Sequence, residues 1–296
     1  WYPSFMPISS SVGPWGGGCS ADAGDTGQSA AARDPMIRLR FPFSMGEFTM
    51  AFIDPQQGGA LNDIPDDFNL VTGTADEQDF TLPRMEAKLA MSMGPVSFNL
   101  VGGWLEWEQV YRDQAGNNDW SEDEFDIDAW IVAANTKFTA GPFSLALAGY
   151  FGDNPLEYGY FGGTEQGSVY GVAGSPLMPT ALIEDTDGDG ILDTCYDAEG
   201  WGAYINLTFK LNDMVSFAAG GGTREYEGDY DGFAIEDEST HWYVNSTITV
   251  AEGFTLTPEV GEFDYETTDW TFDNADPISR DEGNDVYYGI WWKMVF

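Results

Sequence analysis

The chain has 296 residues, 43% of them apolar, yet no stretch reaches the roughly 18 uninterrupted apolar residues of a membrane-spanning helix. Its 11 Lys and Arg stand against 50 Asp and Glu, a formal net charge of −39, which excludes a nucleic-acid partner held through basic surface. Disorder is excluded as well, because disordered chains are poor in aromatics and this one has 11 Trp, 14 Tyr and 20 Phe.

Residues 1–35 show no strand-like alternation; a Gly-Pro-Trp-Gly-Gly-Gly run at 13–18 suits a compact loop. No leader peptide is visible, and the chain opens at Trp1 without Met, as a mature or truncated product would. From Met36 onward, apolar residues alternate with small or polar ones, so each segment has two unlike faces. This predicts strands at 36–43, 47–53, 80–92, 95–108, 125–139, 142–151, 200–211, 214–226, 239–250, 253–264 and 284–296. In the first, Ile37, Leu39, Phe41 and Phe43 oppose Arg38 and Arg40. In the third, Met85, Ala87, Leu89 and Met91 oppose Arg84, Glu86 and Lys88. In the seventh, Trp201, Ala203, Ile205, Leu207, Phe209 and Leu211 oppose Gly202, Tyr204, Asn206, Thr208 and Lys210. In the ninth, Trp242, Val244, Ser246, Ile248 and Val250 oppose Tyr243, Asn245, Thr247 and Thr249. The alternation breaks at Trp104–Glu108 and Asn135–Lys137, where bulges would restore the phase.

Connections alternate in length. Ser44–Gly46, Met93–Gly94, Gly141, Asn212–Asp213 and Ala251–Glu252 are short; 54–79, 109–124, 152–199, 227–238 and 265–283 are long and polar. Hairpins tight at one end and loose at the other form an antiparallel up-and-down meander with two unlike rims. Transmembrane barrels have short periplasmic turns and long external loops. A soluble sandwich also alternates, but it does not keep every long connection at one end through five hairpins. Aromatics gather where membrane interfaces belong: Tyr287, Tyr288, Trp291 and Trp292 at one, Trp104, Trp107, Trp201 and Trp242 toward the loops.

The C-terminal Tyr288-Gly-Ile-Trp-Trp-Lys-Met-Val-Phe296, with Tyr288, Ile290, Trp292 and Met294 on one face, resembles the last strand of bacterial outer-membrane proteins. From about residue 36 to the end the chain is similar to the general porins of Gram-negative bacteria. The resemblance implies an all-β transmembrane β-barrel in the bacterial outer membrane, spanning the lipid bilayer. It also implies passive diffusion of small solutes, a homotrimer, and recognition of Phe296 by the barrel-assembly machinery. Eleven strands are odd where such barrels are even, so at least twelve are expected. If the family's usual sixteen apply, N-terminal strands are missing, and 1–35 corresponds to the loop that narrows the pore in that family. Otherwise Trp1 to Ile8 supplies the twelfth. The whole of 1–296 reads as one barrel domain.

Side chains on lumen parity are candidates to line the pore: Arg38, Arg40, Arg84, Glu86, Lys88, Tyr204, Lys210, Arg224, and Asp126 and Asp128. Glu259 and Lys293 join them, while Lys137 falls on the lipid parity unless the bulge is real. Opposed basic and acidic walls would set up a transverse field, and an acidic vestibule would enrich cations. Weak cation selectivity follows, which a reversal potential can contradict.

Asp185-Thr-Asp187-Gly-Asp189-Gly-Ile-Leu-Asp193 resembles calcium loops of the EF-hand or thrombospondin-repeat kind. Alternate carboxylates supply hard oxygen ligands, Gly190 permits the sharp turn, and Ile191 holds the backbone-carbonyl position. Tyr196 stands where an EF-hand has Glu, so Asp193 or Asp197 would have to serve. A solvated acidic loop is the alternative. Cys19 and Cys195 both fall in external segments; a disulfide in the oxidising periplasm competes with two free thiols, and non-reducing mass spectrometry separates them.

The lone His241 has no matched nucleophile, and no zinc spacing, P-loop or nucleophile elbow occurs, so an enzyme is not expected. The Gly220–Gly222 run suits close neighbours or a subunit contact. Asn206-Leu-Thr and Asn245-Ser-Thr match a glycosylation pattern but lie on strands. A diffusion porin therefore competes with a structural or partner-binding barrel, a sheath or surface anchor whose loops bind calcium.

Overall fold

The computed structural model describes residues 36–53, 74–80, 82–115, 119–155, 182–184, 194–230, 233–264, 267–272, 278–281 and 283–295. In chain order its strands are β1 (Met36–Phe43), β2 (Gly46–Ile53), β3 (Thr74–Asp79), β4 (Arg84–Met93), β5 (Val96–Ala115), β6 (Asp119–Ala140), β7 (Phe143–Asp153) and β8 (Leu182–Glu184). They continue as β9 (Thr194–Tyr196), β10 (Ala198–Lys210), β11 (Val215–Tyr230), β12 (Phe233–Ala251), β13 (Phe254–Asp264), β14 (Thr267–Phe272), β15 (Ile278–Asp281) and β16 (Asn284–Met294). A 14-stranded sheet follows the path β1-β2-β4-β5-β6-β7-β10-β11-β12-β13-β16. Off it, β3 lies on β5, β14 on β12 and β15 on β14, while β8 and β9 form a separate pair. The wall is an antiparallel up-and-down meander. Its eleven-strand path coincides with the strands expected from alternation. Among the described residues β1 and β16 end the path without pairing to each other. The twelfth strand, sought within 1–35, lies outside the described residues.

The tight rim is set by turn chemistry. Gly94 and Gly141 both have φ of +58° and each precedes a proline. The ring fixes Pro at negative φ, so the signs run positive then negative, as in a type II′ turn, whose twist suits a hairpin. At the β10–β11 turn, Asn212 Oδ1 accepts from the amides of Met214 at 2.8 Å and Val215 at 2.9 Å, an Asx turn.

The opposite rim departs from expectation. β5 and β6 have 20 and 22 residues, where about 9–11 cross a bilayer. The connections 109–124 and 227–238 are therefore not long loops. The hairpins β5–β6 and β11–β12 continue past the membrane as paired strands, in unbroken register from Val96↔Phe138 to Ala115↔Asp119 and from Val215↔Ile248 to Tyr230↔Phe233. No bulge occurs at Trp104–Glu108 or Asn135–Lys137.

One face of the sheet carries large exposed apolar side chains: Ile37, Leu39, Phe41, Leu100, Phe138, Phe143, Leu147, Ile205, Leu207, Val244, Ile290 and Trp292. Hydrocarbon is the solvent this surface fits. The band ends outward of Trp104 and Trp130, which face each other across β5 and β6, and of Phe151 and Trp201, which pair across β7 and β10. Trp130 meets Phe151 edge-on at 5.5 Å. Amphipathic rings here mark the external interface.

Candidate functional site

The face opposite the lipid is the candidate functional surface. Cross-strand partners share a face, so the register places each side chain. Arg38, Arg40, Arg84, Glu86 and Lys88 all point inward. β2 presents the small Thr49 and Ala51 between four of them, Arg40↔Thr49↔Lys88 and Arg38↔Ala51↔Glu86, and the buried Ile53 opposite Arg84. Arg40 reaches Glu47 at 2.7 Å near the tight rim, and Arg84 Nε lies 3.4 Å from Glu86 Oε1, both of that pair being buried. Tyr204 and Arg224 face inward and are buried; Arg224 donates to Ser239 Oγ at 2.8 Å. Lys210 faces inward at the tight rim, 2.8 Å from Asp213, and this contact holds the exposed Asp213 carboxyl below its usual range.

Asp126 and Asp128 do not line the lumen. The register Trp107↔Ile127 and Leu105↔Ala129 turns Ile127 and Ala129 inward and the two carboxylates outward. The same unbroken register puts Lys137 inward beside Ser97, not on the lipid parity. The apparent breaks in alternation have a different cause from bulges: Val101, Leu105, Trp107, Ile127, Ile131 and Ala133 form an apolar, buried patch on the inward face, so here both faces are apolar. Past the membrane, outward carboxylates meet water rather than lipid.

The same buried cluster runs on into a polar seam through Tyr204 and Tyr243. Tyr204 on β10 and Tyr243 on β12 are separated by β11, yet their hydroxyls meet at 2.7 Å. They reach each other because β11 presents glycine at both intervening inward positions, Tyr204↔Gly222 and Gly220↔Tyr243. A Cβ on Gly220 would sit 2.8 Å from the Tyr243 ring and hydroxyl. This gives the Gly220–Gly222 run its close-neighbour role. Asn206 donates to both hydroxyls. Asn245 donates to Glu259 at 2.8 Å, Tyr287 donates to Glu259 at 3.3 Å, and His241 Nε2 lies 3.2 Å from the Tyr287 hydroxyl. The His241 ring stacks at 4.5 Å on Phe263. Of this group, Tyr204 and Glu259 were singled out from the sequence as pore-lining side chains. The signal for the rest was their shared inward parity.

Beyond the aromatic belt the outward face is acidic. Cross-strand pairs run Asp153↔Glu199, Glu199↔Glu227, Glu227↔Glu236 and Glu236↔Asp269, a row of carboxylates across five strands. Like charges directly opposite destabilise pairing. The Asp153 carboxyl is pushed up by burial, against a 2.6 Å bond from Trp130 Nε1, with Glu199 and Asp197 adding repulsion. Burial, then Glu225, Glu227, Asp269 and Glu238, raise Glu236. Burial, then Asp197 and Asp153, raise Asp128.

The calcium-loop positions Asp185, Asp187, Asp189, Ile191 and Asp193 lie outside the described residues, as do Cys19 and Phe296. Cys195 sits in β9 opposite Ile183, its side chain likewise outside.

No family model matches the chain, and no curated protein matches it. Among solved structures it is similar to the outer membrane channel DcaP of Acinetobacter baumannii. That match has 13% identity and a TM-score of 0.59, over 99% of this chain and 70% of that one. It is also similar to OmpT of Vibrio cholerae in its trimer form, with 13% identity and a TM-score of 0.52, over 99% and 72%. The outer membrane protease OmpT of Escherichia coli matches at 10% identity over 87% and 92%, but at a TM-score of 0.26 no common shape follows. The chain spans 62% to 72% of the DcaP, Vibrio OmpT and porin structures it matches.

Proposed function

We propose, for a chain whose fold is that of bacterial outer-membrane porins, that it forms a water-filled channel through the bacterial outer membrane for passive diffusion of small hydrophilic solutes and ions, without covalent chemistry. The observation that carries this is the segregation of the wall. Every Lys and Arg whose side chain is described faces inward (Arg38, Arg40, Arg84, Lys88, Lys137, Lys210, Arg224 and Lys293), while the other face is apolar across the bilayer. Charges on that inner face are costly unless water reaches them.

The test is conductance in a planar lipid bilayer. Stepwise, ohmic channels are expected; a folded barrel that inserts without conducting contradicts the reading. The buried apolar patch on β5 and β6 favours a second reading, a filled barrel that binds a partner or anchors a surface layer, and the same measurement separates the two.

The weak cation preference rests on the external carboxylates alone once Asp126 and Asp128 are turned outward. Their field is screened within a Debye length, so the preference belongs to low salt, where a reversal potential of the opposite sign contradicts it. Calcium in the 185–193 loop, the Cys19–Cys195 bond, a homotrimer and assembly through Phe296 complete the proposal. Chemical cross-linking tests the trimer, and the folding rate of a chain lacking Phe296 tests the assembly signal.

A further inference from the structure

We infer that Trp291 and the hydroxyls beside it form a subsite for a sugar ring on the inner wall, toward the tight rim, an inference that rests on the channel reading above. Alternation along β16 turns Tyr288, Ile290 and Trp292 to the lipid. It turns Tyr287, Gly289, Trp291 and Lys293 inward, opposite Gly261, Glu259, Thr257 and Thr255 of β13. Trp291 therefore stands on the polar wall, and it is 40% exposed there. A belt tryptophan lays its ring against lipid; this one turns its ring to the lumen. Among the described residues it makes no hydrogen bond and no ring contact. Large apolar surface left open in a polar setting marks a place where something binds.

The next inward positions of β16 leave room above the indole. Gly289 carries no side chain. Tyr287 leans toward β13, its ring 5.3 Å from that of Phe263 and its hydroxyl donating to Glu259 at 3.3 Å. Beside the indole the wall is built of hydroxyls. Ser216↔Thr247 leads through the 3.5 Å contact of Thr247 with Thr257 to Trp291, and the next row toward the rim runs Thr249↔Thr255↔Lys293. Thr249 and Thr255 are half-buried and Lys293 is exposed, and their side chains have no hydrogen-bond partner among the described residues. They can meet a solute, whereas Tyr204, Asn206 and Asn245 are buried and bonded within the wall. A sugar ring matches both parts of this surface. Its C–H face is apolar with slightly positive hydrogens, which the negative face of an aromatic ring attracts. Its rim of hydroxyls donates and accepts, as threonine hydroxyls do. Being neutral, it sheds no ionic hydration on docking. A planar aromatic solute would leave the hydroxyls unmatched, and an acyclic polyol has no flat face to lay on the indole.

The experiment records single channels in a planar bilayer in about 1 M potassium chloride, where fixed surface charge is screened within about 3 Å. Maltotriose is added at millimolar concentration. Transient interruptions of the current are expected, more frequent as its concentration rises, and mannitol, an acyclic polyol, is expected to cause none. Trp291→Leu keeps an apolar side chain but removes the aromatic face, and is expected to weaken maltotriose binding roughly 3- to 10-fold. Thr255→Val removes one hydroxyl at nearly constant shape and is expected to weaken it roughly 2- to 5-fold. Trp201→Leu, on the lipid face, is expected to leave it unchanged. Absence of interruptions, equal interruptions with mannitol, or undiminished binding in Trp291→Leu overturns the inference while leaving the channel reading intact. Should Trp291→Leu not migrate as a folded barrel on a heat-shift gel, undiminished binding in Thr255→Val overturns it instead. Absence of any conductance from unmodified protein that does migrate as a folded barrel overturns both readings.

Discussion

Replacing Gly220 by alanine tests whether β11 is shaped by the tyrosine pair that spans it. The added Cβ falls 2.8 Å from the Tyr243 ring and hydroxyl and 2.8 Å from the Ile205 carbonyl oxygen, whereas ordinary contact begins at 3.4 Å. Tyr243 is only 1% exposed, so it has no free volume to move into. Overpacking of this kind costs about 1–3 kcal/mol. Displacing the hydroxyl also breaks its 2.7 Å bond to Tyr204 and leaves buried partners unmade, adding roughly 1–3 kcal/mol. The Ile205 part persists whatever stands at 243; the Tyr243 part does not. In a cycle of Gly220→Ala, Tyr243→Ala and the double variant, a coupling of about 1–2 kcal/mol is therefore expected. Urea unfolding in phospholipid vesicles, followed by tryptophan fluorescence, measures it. Additive costs would refute the idea that glycine is there to seat the tyrosine.

Two further outcomes follow from the same geometry, and a third from the calcium-loop spacing of 185–193. Ile205→Lys places a charge mid-membrane on the lipid face and costs about 2–4 kcal/mol in the same unfolding assay, while Thr208→Lys, on the inward face, costs well under that; equal costs would invert the facing. The raised Asp153 and Glu236 carboxyls stabilise the paired external extension when protonated, so that stabilisation is full at low pH and is lost as pH rises through their elevated values. At neutral pH, Glu236→Gln is thus expected to slow protease cleavage within 225–238, and unchanged cleavage would show that the carboxylate row exerts no strain. Chelating calcium is expected to lower the thermal stability of the unmodified protein and not of Asp187→Asn/Asp189→Asn, as read by the temperature of the heat-shift on gels.

What the sequence made legible was whatever lipid imposes. Between the two interfaces outward residues must be uncharged and are mostly apolar, so Ile205, Leu207 and Phe209 announce both strand and facing. The constraint ends at Trp130, Phe151 and Trp201. Beyond them β5, β6, β11 and β12 continue as hydrogen-bonded strands outside the lipid, so outward positions such as Asp128, Glu227 and Glu236 need not be apolar, and such segments read as loops. The same loss of constraint misassigned Asp126 and Asp128. Nothing local distinguishes Ile127 facing inward from Ile127 facing lipid until the register with Trp107 is known. The tyrosine seam was half visible, since Tyr204 and Tyr243 stand on the polar parity of their strands. That they touch across an intervening strand depends on glycine at two positions of β11, a three-strand relation that pairwise alternation does not encode.

Along the main path each strand lies beside the nearest long strand before it in the chain, from β1 through to β16. Neighbours in the wall are thus neighbours in the polypeptide, and each hairpin can close before the next is made. Such a sheet can grow from one margin, one strand at a time, that margin always offering one unsatisfied row of amides and carbonyls to the next strand. A defect in one hairpin, such as a lost glycine at position 94 or 141, would then stall growth at that point, and proteolytic fragments of arrested intermediates would terminate there.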